Sequence, residues 1–155
     1  MGLHFISPSY CCITLEKWYN NEITSIPRSL IQLSRLTLLN LNNNKITFIP
    51  DSLGQLTNLR SLYLNNNEIT SIPDSLGQLT NLTALYLNGN EINSIPKSLE
   101  QLSNLRVFFC NNNKISFVPE TLSNPKNLET FELEENPPSF WEKIYSRFLP
   151  KSSNR

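Results

Sequence analysis

The chain has 155 residues, room for one domain with one continuous core, and a hydrophobic fraction of 39%. Thirteen Lys+Arg balance thirteen Asp+Glu. That parity argues against a general binder of nucleic acid or anionic membrane, both of which draw basic excess.

Residues 1–12 read as an N-terminal cap segment. Met1 to Tyr10 has no basic lead and too short an apolar stretch for a secretory signal. Gly2 invites a myristoylation reading, but Ile6 stands where that motif needs Ser or Thr. Phe5, Ile6, Tyr10 and Trp18 are placed to shield the first structural unit. Cysteines occur at Cys11, Cys12 and Cys110, an odd number with two adjacent, which points to a reducing compartment. No basic residue or His adjoins Cys11-Cys12 to lower a thiol pKa.

From residue 13 to 136 the chain repeats itself. Pro27, Pro50, Pro73, Pro96 and Pro119 are evenly spaced, and Asn21, Asn44, Asn67, Asn90, Asn113 and Asn136 keep the same step. One unit reads L-x-x-L-x-L-x-x-N-x-I-x-x-I-P-x-x-L-x-x-L-x-x. Units begin at Leu36, Leu59, Leu82 and Leu105, with a partial one at Leu128. A degraded one begins at Ile13, where Glu16 and Trp18 replace leucines. The L-x-L core alternates with period two and predicts a short strand, with Leu62/Leu64, Leu85/Leu87 and Phe108/Cys110 facing inward. The Asn after each strand can donate and accept, so a buried column of them can satisfy turn backbone. Ile-Pro imposes an extended bend. The D-S-L-G-Q-L or K-S-L-E-Q-L that follows suits a turn of helix or 3-10 helix. The sequon Asn81-Leu82-Thr83 reads as accidental without a signal peptide.

Residues 137–155 read as a cap and tail. Pro137-Pro138 stops the repeat, Ser139 to Glu142 has capping-box form, and an amphipathic helix over 140–149 is expected to lie on the last unit. A partner- or membrane-binding helix is the sharper reading of the same segment. No run is long and apolar enough to span a bilayer.

This unit resembles the leucine-rich-repeat family in its 23-residue, Ile-Pro-containing form. The resemblance implies an α/β, right-handed solenoid: parallel strands on a concave face, helical or 3-10 turns on the convex face, and a C-terminal capping helix.

No catalytic constellation is present in the sequence. The only histidine is His4, Cys110 takes a leucine position, and neither phosphate-loop motifs nor metal-spaced Cys/His sets occur. Glu129, Glu132, Glu134 and Glu135 read as a solvated acidic rim rather than a metal site. No cofactor or metal is expected, and the chain reads as no enzyme.

The outward positions of the strands run Lys17, Asn40, Tyr63, Tyr86, Phe109 and Glu132. Three successive aromatics there make a stripe that core packing does not require, although Tyr and Phe also serve as strand fillers. Rows to either side are Leu38, Ser61, Ala84, Val107, Thr130 and Tyr19, Asn42, Asn65, Asn88, Asn111, Glu134, with Arg60 and Arg106 nearby. The expected site is therefore Tyr63, Tyr86, Phe109, Asn40, Arg60, Arg106 and Glu132, binding a protein or peptide on the concave face. Nucleic acid is not expected, since a phosphate track needs Lys and Arg in that border. The chain is expected to be a cytoplasmic monomer. Its likeness to small bacterial repeat effectors implies delivery into host cytosol and a host protein as partner. Two other readings stand beside this one: the substrate-recognition part of a larger enzyme such as a ubiquitin ligase, or a self-associating structural piece.

Overall fold

The computed structural model describes residues 13–15, 18–119 and 128–137. Six strands form one parallel sheet in chain order: β1 (Ile13–Leu15), β2 (Leu36–Asn40), β3 (Ser61–Tyr63), β4 (Ala84–Tyr86), β5 (Val107–Phe109) and β6 (Thr130–Glu132). From β2 to β6 each residue pairs with its equivalent in the next unit, as in Leu39↔Leu62 and Leu85↔Phe108. The 23-residue period is thus the sheet register itself.

Among the described residues, four 3-10 turns stand opposite the sheet: η1 (Arg28–Gln32), η2 (Asp51–Gln55), η3 (Asp74–Gln78) and η4 (Lys97–Gln101). Each starts at the repeat proline, held at φ between −69° and −73°. The proline carbonyl accepts the first turn bond, for example from the Leu53 amide at 2.9 Å. One leucine of each turn points inward: Leu30, Leu53, Leu76 or Leu99.

Between the two layers lies one continuous core of strand leucines, Ile-Pro isoleucines and turn leucines. Phe108 and Cys110 replace Leu85 and Leu87 at equivalent places, both wholly buried. The larger ring and the smaller thiol offset each other in volume, and Phe108 extends the core by stacking on Phe131 at 5.2 Å.

The first unit departs from the expected register. Ile13 pairs with Leu36 in step, but a bulge then sets Leu15, not Glu16, opposite Leu39. A one-residue slip exchanges the faces of a strand. The irregularity falls between Ile13 and Thr14. Trp18 packs half-buried against the core. The N-terminal cap segment, the helix over 140–149 and Lys17 lie outside the described residues. Among those described, no helix is long and apolar enough to cross a membrane.

Candidate functional site

The strand face is organised by asparagines before it is decorated by aromatics. Asn44, Asn67, Asn90, Asn113 and Asn136 are buried. Each side-chain oxygen accepts an amide hydrogen from the preceding unit, as from Ile46 to Asn67 at 3.1 Å. Each side-chain nitrogen donates to two strand-end carbonyls, as Asn67 does to Leu41 at 3.0 Å and Leu64 at 3.1 Å. This is the ladder the sequence predicts, with one exception. Asn21 is exposed, and among the described residues it donates to the Tyr19 carbonyl at 2.9 Å.

A second ladder runs through Asn42, Asn65, Asn88 and Asn111, the row read from sequence as the polar border of a binding face. Each oxygen accepts the backbone amide of its successor at 2.7–2.9 Å, ending on Glu134. Their acceptors are therefore committed to the fold. Asn81, the sequon residue, donates to the Thr57 carbonyl at 2.8 Å, and Asn58 and Asn104 make the same bond without any sequon.

On this frame the outward row stands in register: Asn40↔Tyr63↔Tyr86↔Phe109↔Glu132. The Tyr63 and Tyr86 rings stack nearly parallel, 6° apart, with centroids at 4.6 Å. Phe109 is turned by 76° against Tyr86 at 5.3 Å. All three are half-buried, with the ladder at one side and Ser61, Ala84 and Val107 at the other. Partial burial raises the Tyr86 phenol above its ordinary pKa, and neighbouring Tyr63 raises it further by charge repulsion and a hydrogen bond. The Tyr86 hydroxyl is thus a neutral hydrogen-bonding group at neutral pH.

The remaining predicted residues do not all converge. The Asn40 oxygen accepts from its own chain at Asn42, 3.1 Å away. Arg60 is exposed in a row shared with Thr37, Thr83, Arg106 and Glu129, beyond the Ser61, Ala84 and Val107 row that borders the aromatics. Arg106 is ion-paired with Glu129, so its charge is met within the fold. Glu132 accepts from Asn111 at 2.9 Å, which fixes its carboxylate at the end of the aromatic row. Tyr63, Tyr86, Phe109 and Glu132 form one contiguous surface, with Asn40 at its edge and the arginines alongside.

Sequence reasoning missed two exposed rings. Phe48 and Phe117, each more than half exposed, occupy the position before Ile-Pro or Val-Pro where other units carry Ser25, Ser71 and Ser94. Their signal was a large apolar residue in a serine column. Among the described residues no group of three His, Cys, Asp or Glu side chains could hold a metal ion. Cys110 is wholly buried, and burial pushes its thiol up, away from the thiolate a nucleophile needs.

The comparisons with known proteins agree with this geometry. A family model described as leucine rich repeat matches four overlapping stretches, residues 18–69, 34–92, 57–115 and 80–137. The chain is similar to a solved leucine-rich-repeat protein of Leptospira interrogans, with 34% identity and a TM-score of 0.81 over 88% of this chain and 35% of that one. It is also similar to the plant peptide hormone receptor RGFR1, solved in complex with RGF2, at 35% identity and a TM-score of 0.65 over 72% of this chain and 18% of that one. The ectodomain of the Arabidopsis thaliana receptor kinase SOBIR1 matches at 27% identity and a TM-score of 0.67, covering 77% of this chain and 68% of that one. No curated protein matches in sequence. The chain spans about a third of the Leptospira protein and less than a fifth of RGFR1.

Proposed function

The chain belongs to the leucine-rich-repeat family, whose fold generally serves protein interaction, and from that premise we propose that it is a non-catalytic module holding a protein or peptide on its strand face. The observation that carries this reading is the row Tyr63, Tyr86, Phe109. Three aromatics in register keep part of their surface open at positions the core does not need. Aromatic clusters bordered by satisfied polar groups are where binding energy concentrates. The likeness to RGFR1, solved with RGF2, supports the same use of the fold.

The partner we propose is a host protein, reached by an effector acting in host cytosol. Support for this finer reading is the similarity to a Leptospira protein. A second reading, the recognition segment of a longer protein, has support in the fraction of the Leptospira and RGFR1 chains that this sequence spans.

The test is affinity capture from eukaryotic lysate with the native chain and with a folded Tyr63→Ala/Tyr86→Ala/Phe109→Ala variant. A partner held by the native chain and lost by the variant is the expected result. Equal capture by both would move the site off the strand face. A dimer by sedimentation that the triple variant dissolves would replace partner binding with self-association.

A further inference from the structure

The strand face is not symmetric along the repeat axis, and the asymmetry specifies what it can hold. Tyr63 and Tyr86 spend their facing ring surfaces on each other. Phe109, turned 76° from Tyr86, does not continue that stack, and it keeps part of its surface open. Its strand partner on the far side is Glu132, which brings a carboxylate beside the ring at strand spacing. The Asn111 amide, which donates to that carboxylate, is itself anchored by its oxygen on the Glu134 backbone.

The charges follow the same direction. Glu129 is neutralised by Arg106. Among the described residues no Lys, Arg or His stands within ion-pair distance of Glu132, Glu134 or Glu135. The opposite end of the face, at Asn40 and Asn42, is uncharged. Among the described residues the row therefore runs from the amides Asn40 and Asn42 to an acidic end with no cationic partner, and Phe109 stands at the junction. A cation over a ring and beside an oriented carboxylate meets both the ring quadrupole and a full negative charge.

Resting on the strand-face reading above, we infer that the occupant is an extended, basic segment of a partner protein. It places an apolar side chain over Tyr63 and Tyr86 and an arginine or lysine between the Phe109 ring and the Glu132 carboxylate. Charge complementarity selects this occupant over an acidic peptide or a phosphate-bearing one, which the three carboxylates repel.

The probe is a library of random heptapeptides displayed on phage, panned against the full chain. The enriched peptides carry Arg or Lys next to an aromatic or aliphatic residue. A synthetic winner loses about tenfold in affinity when its arginine is replaced by citrulline, and about as much against Glu132→Gln, which keeps the hydrogen bond from Asn111. Glu68→Gln, an exposed carboxylate elsewhere, changes nothing. Enriched peptides that need Tyr63 and Tyr86 but lack a basic residue, or that bind Glu132→Gln equally, overturn this inference and leave the strand-face reading standing. Peptides indifferent to Tyr63→Ala/Tyr86→Ala, or no enrichment at all, overturn both.

Discussion

The side-chain oxygen of Asn67 accepts the amide hydrogen of Ile46, 3.1 Å away, while its nitrogen reaches the carbonyls of Leu41 and Leu64. One amide thus ties together the turns of two successive repeats inside the buried shell.

Asn67→Ala orphans the buried Ile46 amide and takes one of two asparagine donors from each of the Leu41 and Leu64 carbonyls, and should cost about 2–4 kcal/mol. Asn67→Asp should cost at least as much, because a carboxylate cannot donate and would face carbonyl oxygens. Asn43→Gly removes an exposed link between Asn20 and Asn66, keeps the left-handed torsion of that position, and should cost under about 1 kcal/mol. Urea unfolding of the three variants checks the order. Equal losses at positions 43 and 67 would refute a ladder whose strength comes from burial.

The glycines predict a second contrast. Gly89 has φ +65°, the same left-handed position held by Asn43, Asn66 and Asn112. A Cβ there would meet the far end of the Asn66 side chain, not backbone. Gly89→Asn should therefore be tolerated within about 1 kcal/mol, since it restores the residue used elsewhere and restricts the unfolded chain. Gly54 and Gly77 carry no such conformational demand. A Cβ on either would strike the backbone carbonyl of Ser75 or Ser98 in the next 3-10 turn. Gly54→Ala and Gly77→Ala should each cost about 2 kcal/mol or more, by forcing the turns apart. Thermal melts of the three variants separate a glycine needed for torsion from one needed for approach.

These two cases mark what was legible from the residues. Period, strand positions, the buried asparagine column and the Ile-Pro turn are written in the sequence, because each is fixed by a side chain's polarity or a proline's torsion. The second ladder through Asn42, Asn65, Asn88 and Asn111 was not. An outward amide looks like a surface group until the register shows a backbone amide beside it. The bulge that sets Leu15 against Leu39 was hidden for a similar reason, since a strict period gave that place to Glu16. Of the candidate site, the aromatic row was legible down to its members. The commitment of Arg106 to Glu129 and the turn of Phe109 depend on side-chain placement that no spacing encodes.

Cys110 supplies a pH prediction. Burial pushes its thiol up in the folded chain, so folding favours the neutral form. A group raised on folding contributes fully below its unfolded value, about 8.5, and loses that contribution as the pH rises beyond it. Stability should hold to about pH 8 and fall through the alkaline range, and Cys110→Val should flatten that fall. Urea midpoints at pH 7 and pH 10 test this. A Cys110→Val variant with the native slope would assign the alkaline loss to other groups. The same burial predicts that iodoacetamide leaves Cys110 unlabelled in the native chain and labels it once urea opens the core.

The last prediction separates the two roles open to the aromatic row. Two rings at 4.6 Å and 6° pack against each other as well as facing solvent. A double-mutant cycle of Tyr63→Ala and Tyr86→Ala should show a stability coupling of about 0.5–1.5 kcal/mol from that contact. Tyr86 and Phe109, edge to face at 5.3 Å, should couple within the same range. If strand pairing were the whole purpose of the row, variants that keep a ring would keep every property. Tyr63→Phe and Tyr86→Phe retain the stack and should leave the melting temperature within about 2 °C, since they remove only part-exposed hydroxyls. Those hydroxyls can each donate and accept a hydrogen bond, and Tyr86 holds its proton more firmly than a free phenol. A partner that hydrogen-bonds them should bind the Phe variants several-fold more weakly at unchanged stability. Loss of affinity without loss of stability is a result that a filler cannot produce. Unchanged affinity would confine the contact to the ring surfaces and to Phe109.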